Sequence, residues 1–410
     1  MENTYTEKNK KIKNLIVGGG AAGLALAVML KEGKNTLLLE RGERVGRKLS
    51  ATGNGQGNVT NLGVDENRYF SSEAETKARL KEIFSRFSHR ETVSFLEGLG
   101  GLFLPDERGR VYPAGRQASA VTDLMRFAAA QNGVELETGS MVTSVECAGN
   151  GFIVSTQKGK IFAENVVLCA GGKAAKNFGT DGNGYALAKS LGHTVSALYP
   201  SLVQLKTDAR QTKILKGIRV NDARVTAYAQ EKTLAEVRGD LIFTDYGVSG
   251  DAIFRLSAFV ADRVVKGERI ALEVDLLPDI AESKLLEILS NKAATGLFSG
   301  ANKSEILCGI INNQVGRVAT KLFSGGLNEL VRGVKNFPIQ VTGTLGFDYA
   351  QVTKGGVLLS ETTKELESKK HKGLYFAGEI LDVDGECGGF NLQWAFSSAH
   401  VVASALNEKE

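Results

Sequence analysis

Three glycines, Gly18, Gly20 and Gly23, stand between a short aliphatic run and a stretch of helix-forming residues. In this spacing the first glycine permits a tight turn, the second lets the backbone approach a pyrophosphate, and the third lets the helix pack close to the strand. The N terminus of that helix offers N–H groups and a partial positive charge to an anion. Glu40 ends the next apolar run, where a carboxylate can accept hydrogen bonds from ribose hydroxyls. The pattern predicts a dinucleotide site, against the alternative of a glycine turn in an ordinary α/β domain.

A second glycine-rich segment lies near the C terminus. An apolar strand over 373–377 ends at Gly378 and Glu379, an acidic loop follows, and a helix is predicted over 391–406. The N terminus of such a helix stabilises negative charge on an electron-rich ring edge, and Gly389 allows close backbone approach. The segment favours a flavin site, against the alternative of a surface acidic turn before an amphipathic helix.

The elements that would position these two segments alternate along the first half of the chain. Residues 14–40 are predicted to be β-α-β, and 41–62 form a long, polar, glycine-rich loop of the kind that usually carries function. Helical spacing covers 74–99 and 118–131, and a hairpin is predicted over 102–113. The fold class is therefore α/β, with a Rossmann-like nucleotide-binding domain.

The pattern changes near residue 199, where short strands of alternating character indicate an antiparallel sheet or small barrel. Residues 281–333 are mostly helical. The predicted organisation is a discontinuous cofactor-binding domain over 1–198 plus 337–410, an inserted β-rich domain over 199–277, to which part of 325–345 could be added, and a small helical cap over 278–336.

Composition narrows the function classes. The 410 residues suffice for about two or three domains, and the 42% hydrophobic and 23% charged content is ordinary for a globular protein. The four cysteines are far apart and the four histidines scattered, so we expect neither a metal site nor a redox disulfide. The polar N terminus and the lack of any apolar run of about 18 residues predict a cytoplasmic protein without a membrane span.

The chain resembles the flavoprotein family described as aminoacetone-oxidase-like or bile-acid-reductase-like NAD(P)/FAD-dependent oxidoreductases. The motifs that carry this resemblance are Gly18–Gly23, Arg47–Leu49, Asn58–Asn61, Val111–Pro113, Ala170–Lys173, Phe243–Gly250, Val352–Val357 and Phe376–Ser398. The resemblance implies an FAD domain of the glutathione-reductase type built from both chain ends, a barrel-like insertion and a helical cap. Where the family often has arginine and cysteine, this chain has Gln56 and Gly57, and Asp245 and Asp251 replace a histidine and a proline.

The resemblance also implies which residues hold FAD. The pyrophosphate is expected on the first glycine turn and the adenosine ribose on Glu40, with Arg41 over the adenine and the Val142 backbone beside it. The expected cofactor-binding residues are Gly18, Gly20, Ala22, Gly23, Glu40, Arg41, Lys48, Asn54, Gly55, Asn58, Val142, Ala170, Gly171, Gly378, Glu379, Gly389, Asn391, Leu392 and Gln393.

Only one complete dinucleotide fingerprint is visible in the sequence. NADH or NADPH is therefore expected to dock transiently and not to have a separate binding domain. The leading hypothesis is a reductase that delivers hydride from the flavin to a C=C bond conjugated to a carbonyl in a small, steroid-like enone. The candidate proton donors or orienting groups are Tyr246, Asp245, Asp382 and Asp384. The alternatives are a dihydrouridine-forming reductase of ribosomal RNA, a peroxide-producing amine oxidase, and a non-enzymatic FAD-stabilised binding factor.

A basic stretch over 206–224, which includes Arg210, could contact RNA phosphates. A solvated basic face explains it as well, since no aromatic platform accompanies it. A small molecule is therefore the expected partner, with ribosomal RNA as the second option. The sequence does not indicate an oligomeric state.

Overall fold

A computed structural model describes residues 11–208 and 212–409. The chain divides into two compact units, with boundaries after Leu198 and after Gln351, and the first unit contains both chain ends. Arg210 of the basic stretch and the first ten residues lie outside the described residues.

The first unit is mixed α/β. Its elements before the division are β1 (Lys11–Val17), α1 (Ala21–Met29), β2 (Thr36–Leu39), β3 (Thr60–Asn61), β4 (Tyr69–Phe70), α2 (Thr76–Arg86), α3 (His89–Gly98), β5 (Phe103–Pro105), β6 (Arg110–Pro113), α4 (Ala118–Gln131), β7 (Glu135–Glu137), β8 (Val142–Ala148), β9 (Gly151–Thr156), β10 (Gly159–Leu168) and α5 (Asn183–Ser190).

The second unit and the return to the first follow in order. The second unit contains β11 (Tyr199–Ser201), β12 (Leu205–Thr207), β13 (Arg219–Ala229), β14 (Lys232–Phe243), β15 (Gly247–Ser249), α6 (Asp251–Val265), β16 (Ile270–Asp275), α7 (Glu282–Ala294), α8 (Asn313–Leu322), α9 (Leu327–Lys335) and β17 (Phe337–Thr344). The first unit then adds β18 (Val352–Lys354), β19 (Leu374–Phe376), β20 (Asp384–Gly385) and α10 (Phe390–Glu408).

The large sheet of the first unit has the strand order β7-β2-β1-β10-β9-β8, and β19 also pairs with β10. Strands β7, β2, β1, β10 and β19 run parallel, whereas β8 and β9 form an antiparallel extension. Parallel strands are covered on both faces and become continuously apolar, as in the fully buried Leu15 and Ile16 of β1. This sheet places the first glycine turn at the carboxyl end of β1.

Helix α10 packs against α1, so the last element of the chain lies on the first helix. The contact includes side-chain caps near the far end of α1, because Asn407 accepts from the Lys31 N–H at 2.9 Å and donates to the Met29 carbonyl at 3.1 Å. Both helices are largely buried in one hydrophobic core. The two ends of the chain therefore form a single folded unit.

The second unit contains a closed barrel with the strand order β12-β15-β14-β13-β16-β17. Its interior is lined by alternate residues of the long strands, such as Val225 and Ala227 of β13 and Leu272 and Val274 of β16. Helices α7, α8 and α9 contribute to the same core through residues such as Leu285. The predicted Rossmann-like fold with a barrel-like insertion and helices is confirmed.

Residues 337–344 lie in the second unit, within the stretch 325–345 of which part could be added to the predicted β-rich domain. The cofactor-binding domain was expected to resume at 337, but β17 (Phe337–Thr344) pairs with β12 and β16 and closes the barrel. The alternating burial of Phe337, Ile339 and Val341 fits a barrel strand with one face inward. The first unit resumes after Gln351. Among the helices of the described ranges, none is long and apolar enough to cross a bilayer.

Candidate functional site

The first glycine turn has the geometry that its spacing predicts. Gly18 has a φ of +107°, and a Cβ at this position would come within 2.5 Å of the Cys169 carbonyl oxygen. A Cβ at Gly23 would overlap the carbonyl oxygen of Gly18, so close helix–strand packing excludes a side chain. At Gly20 a Cβ would meet no atom of the described residues within 4 Å. The turn is closed on the protein side and open at Gly20.

The acid that ends β2 is tied to this turn. The Glu40 carboxylate accepts hydrogen bonds from the Gly19 N–H at 2.9 Å and from the Gly42 N–H at 2.7 Å. Each carboxylate oxygen has a further lone pair, so these contacts orient the group and leave it able to accept from a hydroxyl. Gly18 also packs against the Cα of Ala170, which brings Ala170 and the following Gly171 to the same turn.

The two residues expected near an adenine are joined by one segment. Arg41 forms an ion pair with Asp181 at 2.7 Å. Two residues later, Asn183 donates from its side chain to the Val142 carbonyl at 3.2 Å. Burial opposes ionisation of Asp181, but the hydrogen bonds from Arg41 and from the Asn183 N–H, together with the charge of Arg41, outweigh it and lower the pKa of that carboxyl. The start of α5 therefore links Arg41 to Val142, with a charged pair at neutral pH.

The second glycine-rich segment meets the first turn directly. Gly378 has a φ of +78°, and a Cβ there would lie 2.9 Å from the Cβ of Ala22 in the first turn of α1. The Gly378 N–H donates to the Ser398 hydroxyl at 2.9 Å, and its carbonyl accepts from the Trp394 indole at 3.0 Å. Two side chains of α10 thus fix the backbone of Gly378 against the start of α1.

A part-buried ion pair joins the loop after β2 to the end of β19. The Lys48 ammonium lies 2.7 Å from Glu379 Oε2, and both side chains are about three-quarters or more buried, at 25% and 19% exposed. The other carboxylate oxygen of Glu379 accepts from the Thr353 N–H at 2.9 Å. The Thr353 hydroxyl in turn accepts from the Lys173 N–H at 2.7 Å. These contacts hold one charged pair beside Gly171, whose added Cβ would lie 4.0 Å from Glu379.

The start of α10 faces an amide that has an unused acceptor. Gly389 is the N-cap of α10 with a φ of +102°, and a Cβ there would overlap the Thr60 carbonyl and lie 2.9 Å from Asn58 Oδ1. Asn58 is 8% exposed, and its Oδ1 has no hydrogen-bond partner within the described ranges. A buried acceptor without a partner is costly unless a ligand or water supplies a donor. This place suits a ligand with an N–H beside an electron-rich edge.

The loop before Asn58 is built from left-handed turns. Asn54 and Gly55 have φ values of +56° and +83°, and the Gly55 carbonyl accepts from the Ala118 N–H at 2.8 Å. A Cβ at Gly57 would lie 2.8 Å from the Cα of Ala118. The loop is thus anchored to the start of α4, and Asn54 and Gly55 themselves are exposed.

Gln393, one of the residues expected to hold the cofactor, is bonded within the protein, and its contact with a cofactor stays a prediction. Its side chain is fully buried and bonds to Thr60, the Phe87 carbonyl and Ser397, and its N–H is used inside the helix. Asn391 and Leu392 differ, because they stand at the first turn of α10, where N–H groups have no intrahelical acceptor.

The side chain of Asn391 supports the acidic loop instead of facing outward. It accepts from the Gly385 N–H and donates to the Gly385 carbonyl, both at 2.8 Å. Its contribution to a ligand would therefore come from the backbone N–H at the helix start.

Two candidate catalytic acids are buried in the first unit. Asp382 is 1% exposed and accepts from the N–H and hydroxyl of Ser72. Burial raises the pKa of Asp382, although hydrogen bonds from Ser72 and Ser196 oppose that rise. Asp384 is fully buried in β20, opposite Phe70. Both residues are buried in the segment between Gly378 and α10, and the hydrogen bonds of Asp382 to Ser72 hold that segment.

The other two candidates lie in the second unit, in the turn between β14 and β15. Asp245 is 53% exposed and pairs with Lys216 at 2.7 Å. The hydrogen bond from Lys216 lowers the pKa of Asp245, so the carboxyl is ionised at neutral pH, and its predicted part as a proton donor or orienting group stays a prediction. Tyr246 is half-buried, and its backbone carbonyl accepts from the Thr207 N–H at 3.1 Å.

Sequence reasoning missed three supporting residues. Thr353 bridges Glu379 to the 171–174 segment, and Asp181 neutralises Arg41. Tyr185 is buried, and its hydroxyl donates to the Glu379 carbonyl at 3.3 Å. Thr353 lies in one of the family motifs, which was the available signal, whereas nothing in the local sequence marks Asp181 or Tyr185.

The residues fit a flavin dinucleotide on three observations of this structure. The space at Gly20 is open, the acceptor on Asn58 lacks a partner among the described residues, and two helix N termini lie within one unit. By contrast, the described part of the chain contains no group of three or more His, Cys, Asp or Glu side chains placed to hold a metal ion.

Known proteins resemble this chain over nearly its whole length. A family model described as the HI0933-like protein Rossmann domain matches residues 12–405. The chain is 34% identical to the 3-dehydro-bile acid delta(4,6)-reductase of Clostridium scindens, with 96% of this chain and 98% of that protein covered. It is 28% identical to the ribosomal RNA dihydrouridine synthase of Haemophilus influenzae, with 97% and 99% covered.

Two solved structures share the fold. The 3-ketosteroid-delta4-(5alpha)-dehydrogenase of Rhodococcus jostii gives a TM-score of 0.52 at 16% identity, with 98% of each chain covered. The 3-ketosteroid delta1-dehydrogenase of Sterolibacterium denitrificans gives 0.51 at 13% identity, with 98% of this chain and 100% of that chain covered. At these identities the similarity establishes a common fold.

Proposed function

Because the chain belongs to the HI0933-like family, we propose that it is an FAD-dependent oxidoreductase that reduces a C=C bond conjugated to a carbonyl group. The proposed substrate is a small, steroid-like enone, and the proposed electron source is NADH or NADPH that docks transiently. The family resemblance stated from the motifs is confirmed by the family model and by the 34% identical relative.

The observation that carries the proposal is the meeting of the two glycine-rich segments. Gly378 lies against Ala22, and Lys48 pairs with Glu379 at 2.7 Å, so residues from both chain ends form one site. A site with two helix N termini is suited to a ligand that carries a pyrophosphate at one end and an electron-rich ring at the other.

The roles of the chain's own residues follow from their chemistry. The open backbone at Gly20 would accept the pyrophosphate, and the oriented Glu40 carboxylate would accept ribose hydroxyls. The first N–H groups of α10 would stabilise negative charge on the pyrimidine edge, with Asn58 Oδ1 as an acceptor beside them. Bound FAD supplies hydride transfer, while the protein supplies position and electrostatics.

The Clostridium scindens relative supports the choice of an enone. That protein is named as a reductase of a 3-dehydro-bile acid, and the similarity to it extends over 96% of this chain. A steroid-like ligand also needs a mostly apolar binding surface with few polar groups. We further propose that the protein acts in the cytoplasm, where the thiols of its four widely spaced cysteines stay reduced.

Anaerobic stopped-flow mixing tests the reaction class. The purified flavoprotein is mixed with NADH or NADPH, and the loss of oxidised-flavin absorbance is followed. Rapid loss, then recovery when a steroid enone such as 4-androstene-3,17-dione is added, is the expected result. Loss of oxidised-flavin absorbance with a small amine alone would instead favour an amine oxidase. No loss with NADH, NADPH or an amine would favour a binding factor.

A second candidate is dihydrouridine formation in ribosomal RNA, favoured by the full-length similarity at 28% identity to the Haemophilus influenzae synthase. Mapping reduced uridines in ribosomal RNA from a deletion strain and its parent distinguishes the two. A dihydrouridine lost on deletion and restored by the gene would replace the enone proposal.

A further inference from the structure

A cysteine and a histidine that belong to neither glycine turn form a hydrogen-bonded pair in the first unit. Cys147 is exposed on β8, which is the last strand of the large sheet. Its Sγ lies 3.2 Å from Nδ1 of His371, which precedes β19. Cys308 is also exposed but lies in the second unit, whereas all four histidines of the sequence lie in the first.

The contacts of the His371 ring determine which nitrogen carries the hydrogen. Nε2 lies 2.8 Å from the Leu191 carbonyl oxygen. A carbonyl oxygen only accepts, so Nε2 donates and the neutral ring presents the lone pair of Nδ1 to Cys147. The backbone N–H of His371 donates to the Ser368 hydroxyl at 2.9 Å, and this hydrogen bond fixes the loop that precedes β19. A nucleophile, an adjacent base and a third group that orients the base are thus in place.

We propose that Cys147 is a covalent modification site for electrophiles in which an alkene is conjugated to a carbonyl group. The sulfur attacks the β-carbon, so an S–C bond forms and the π electron pair of the alkene moves toward the carbonyl. The thiol proton passes to Nδ1 of His371 and from there to the α-carbon. The adduct contains every atom of both reactants, and no oxidant or reductant is consumed. This inference stands independently of the proposed function.

Competitive labelling of the intact flavoprotein with N-ethylmaleimide tests the site. Samples are quenched over time at neutral pH, and the alkylated fraction of each cysteine is measured by peptide mass spectrometry. We expect Cys147 to react about tenfold faster than Cys308, below the range usual for a well-positioned base in an enzyme. In the His371→Gln variant the two rates should differ by about threefold or less.

Matched measurements make each outcome decisive. Lys372→Gln removes the exposed positive charge of the residue that follows His371 in sequence and keeps the base, so the rate ratio should hold. Cys169 is 5% exposed and should stay unlabelled in every folded variant. If Cys169 reacts in His371→Gln, the comparison is repeated with His371→Asn.

Three results would overturn the proposal. The first is a wild-type ratio of about threefold or less between Cys147 and Cys308. The second is a larger ratio that survives replacement of His371 while Cys169 stays protected, which would assign the reactivity to exposure alone. The third is loss of the ratio in Lys372→Gln, which would assign it to the charge of Lys372 instead of the base.

Discussion

The two glycine turns of the first unit share a form but differ in how the chain builds them. The first is built mainly within one β-α-β unit, where Gly23 packs on Gly18 and Glu40 accepts from Gly19. The second depends on distant segments, because Gly389 fits against residues near Asn58 and the Glu379 side chain pairs with Lys48, 331 residues away.

This difference separates the local from the long-range part of a cofactor site. In the first turn the spacing of the three glycines predicts why each position lacks a side chain. Close packing requires glycine at Gly18 and Gly23, whereas Gly20 faces open space. In the second turn the partners come from β3, the loop before it and the start of α1. We therefore expect that the effect of a substitution on apoprotein stability and its effect on the affinity for FAD are easier to separate in the first turn than in the second.

The largest effect is expected for Gly23→Ala. Its Cβ would overlap the Gly18 carbonyl oxygen and lie 3.3 Å from the Ile16 side chain, and backbone cannot yield as a flexible side chain does. We expect the apoprotein to lose about 2–3 kcal/mol of unfolding free energy, measured by denaturant titration, and to bind FAD poorly. Unchanged apoprotein stability would contradict the tight packing of this turn.

Gly20→Val should affect binding while sparing the fold. A Cβ at Gly20 would meet nothing within 4 Å among the described residues, and the backbone there is extended. We expect apoprotein stability to change by less than about 1 kcal/mol. The Kd for FAD should rise about 100-fold, or about 2.7 kcal/mol, because the side chain would occupy the space of the pyrophosphate. Fluorescence titration measures the Kd, and equal affinity in both proteins would move the pyrophosphate away from this turn.

The ion pair between Lys48 and Glu379 tests whether the second segment needs its distant partner. Both side chains are largely buried, so removing one leaves a charge poorly solvated. A double-mutant cycle with Lys48→Met and Glu379→Gln should give a coupling free energy of about 1–2 kcal/mol. Glu379→Gln keeps an acceptor for the Thr353 N–H and so isolates the charge. A coupling near zero would mean that the two chain ends fold together without this pair.

The sequence could predict the local contacts of the site but not the long-range ones. The strand, turn and helix around Gly18 follow from local spacing, and so does the helix start at Gly389. The burial of Gln393 among Thr60, Phe87 and Ser397 could not be foreseen, because its partners lie up to 333 residues away. The position of β17 in the barrel entered only as the alternative that added part of 325–345 to the β-rich domain, since pairing with β12 and β16 is a tertiary choice that an alternating strand does not specify.

Asn58→Ala tests the unused acceptor in the second turn. Since Asn58 Oδ1 has no hydrogen-bond partner among residues 11–208 and 212–409, we expect little loss of apoprotein stability. The Kd for FAD should rise about tenfold, equivalent to about 1.4 kcal/mol. Thr60→Val is the matched control, because its hydroxyl bonds to Gln393 inside the protein. That variant should lose about 1 kcal/mol of stability with a smaller change in Kd. The opposite ranking of the two Kd values would remove Asn58 from the site.

The smallest effect is expected at Asp382, which supports the second segment from beneath. Burial raises its pKa above the ordinary value of 3.8, so the folded protein holds this proton more tightly than the unfolded chain. The contribution of the carboxyl to stability is then greatest below pH 3.8 and falls as pH rises through the raised pKa. Relative to D382N, whose amide keeps an acceptor for Ser72, the wild type should lose melting temperature over that window.

Thermal melts of both apoproteins across the acidic to neutral range measure this difference. A gap that widened in favour of the wild type as pH rose would mean that the hydrogen bonds from Ser72 outweigh burial. The same variant also bears on catalysis. If D382N bound FAD normally but its reduced flavin were no longer reoxidised by an enone, the carboxyl would regain the role of proton donor that its burial argues against. Normal reoxidation would confine Asp382 to support of the second turn, through contacts that only the folded chain assembles.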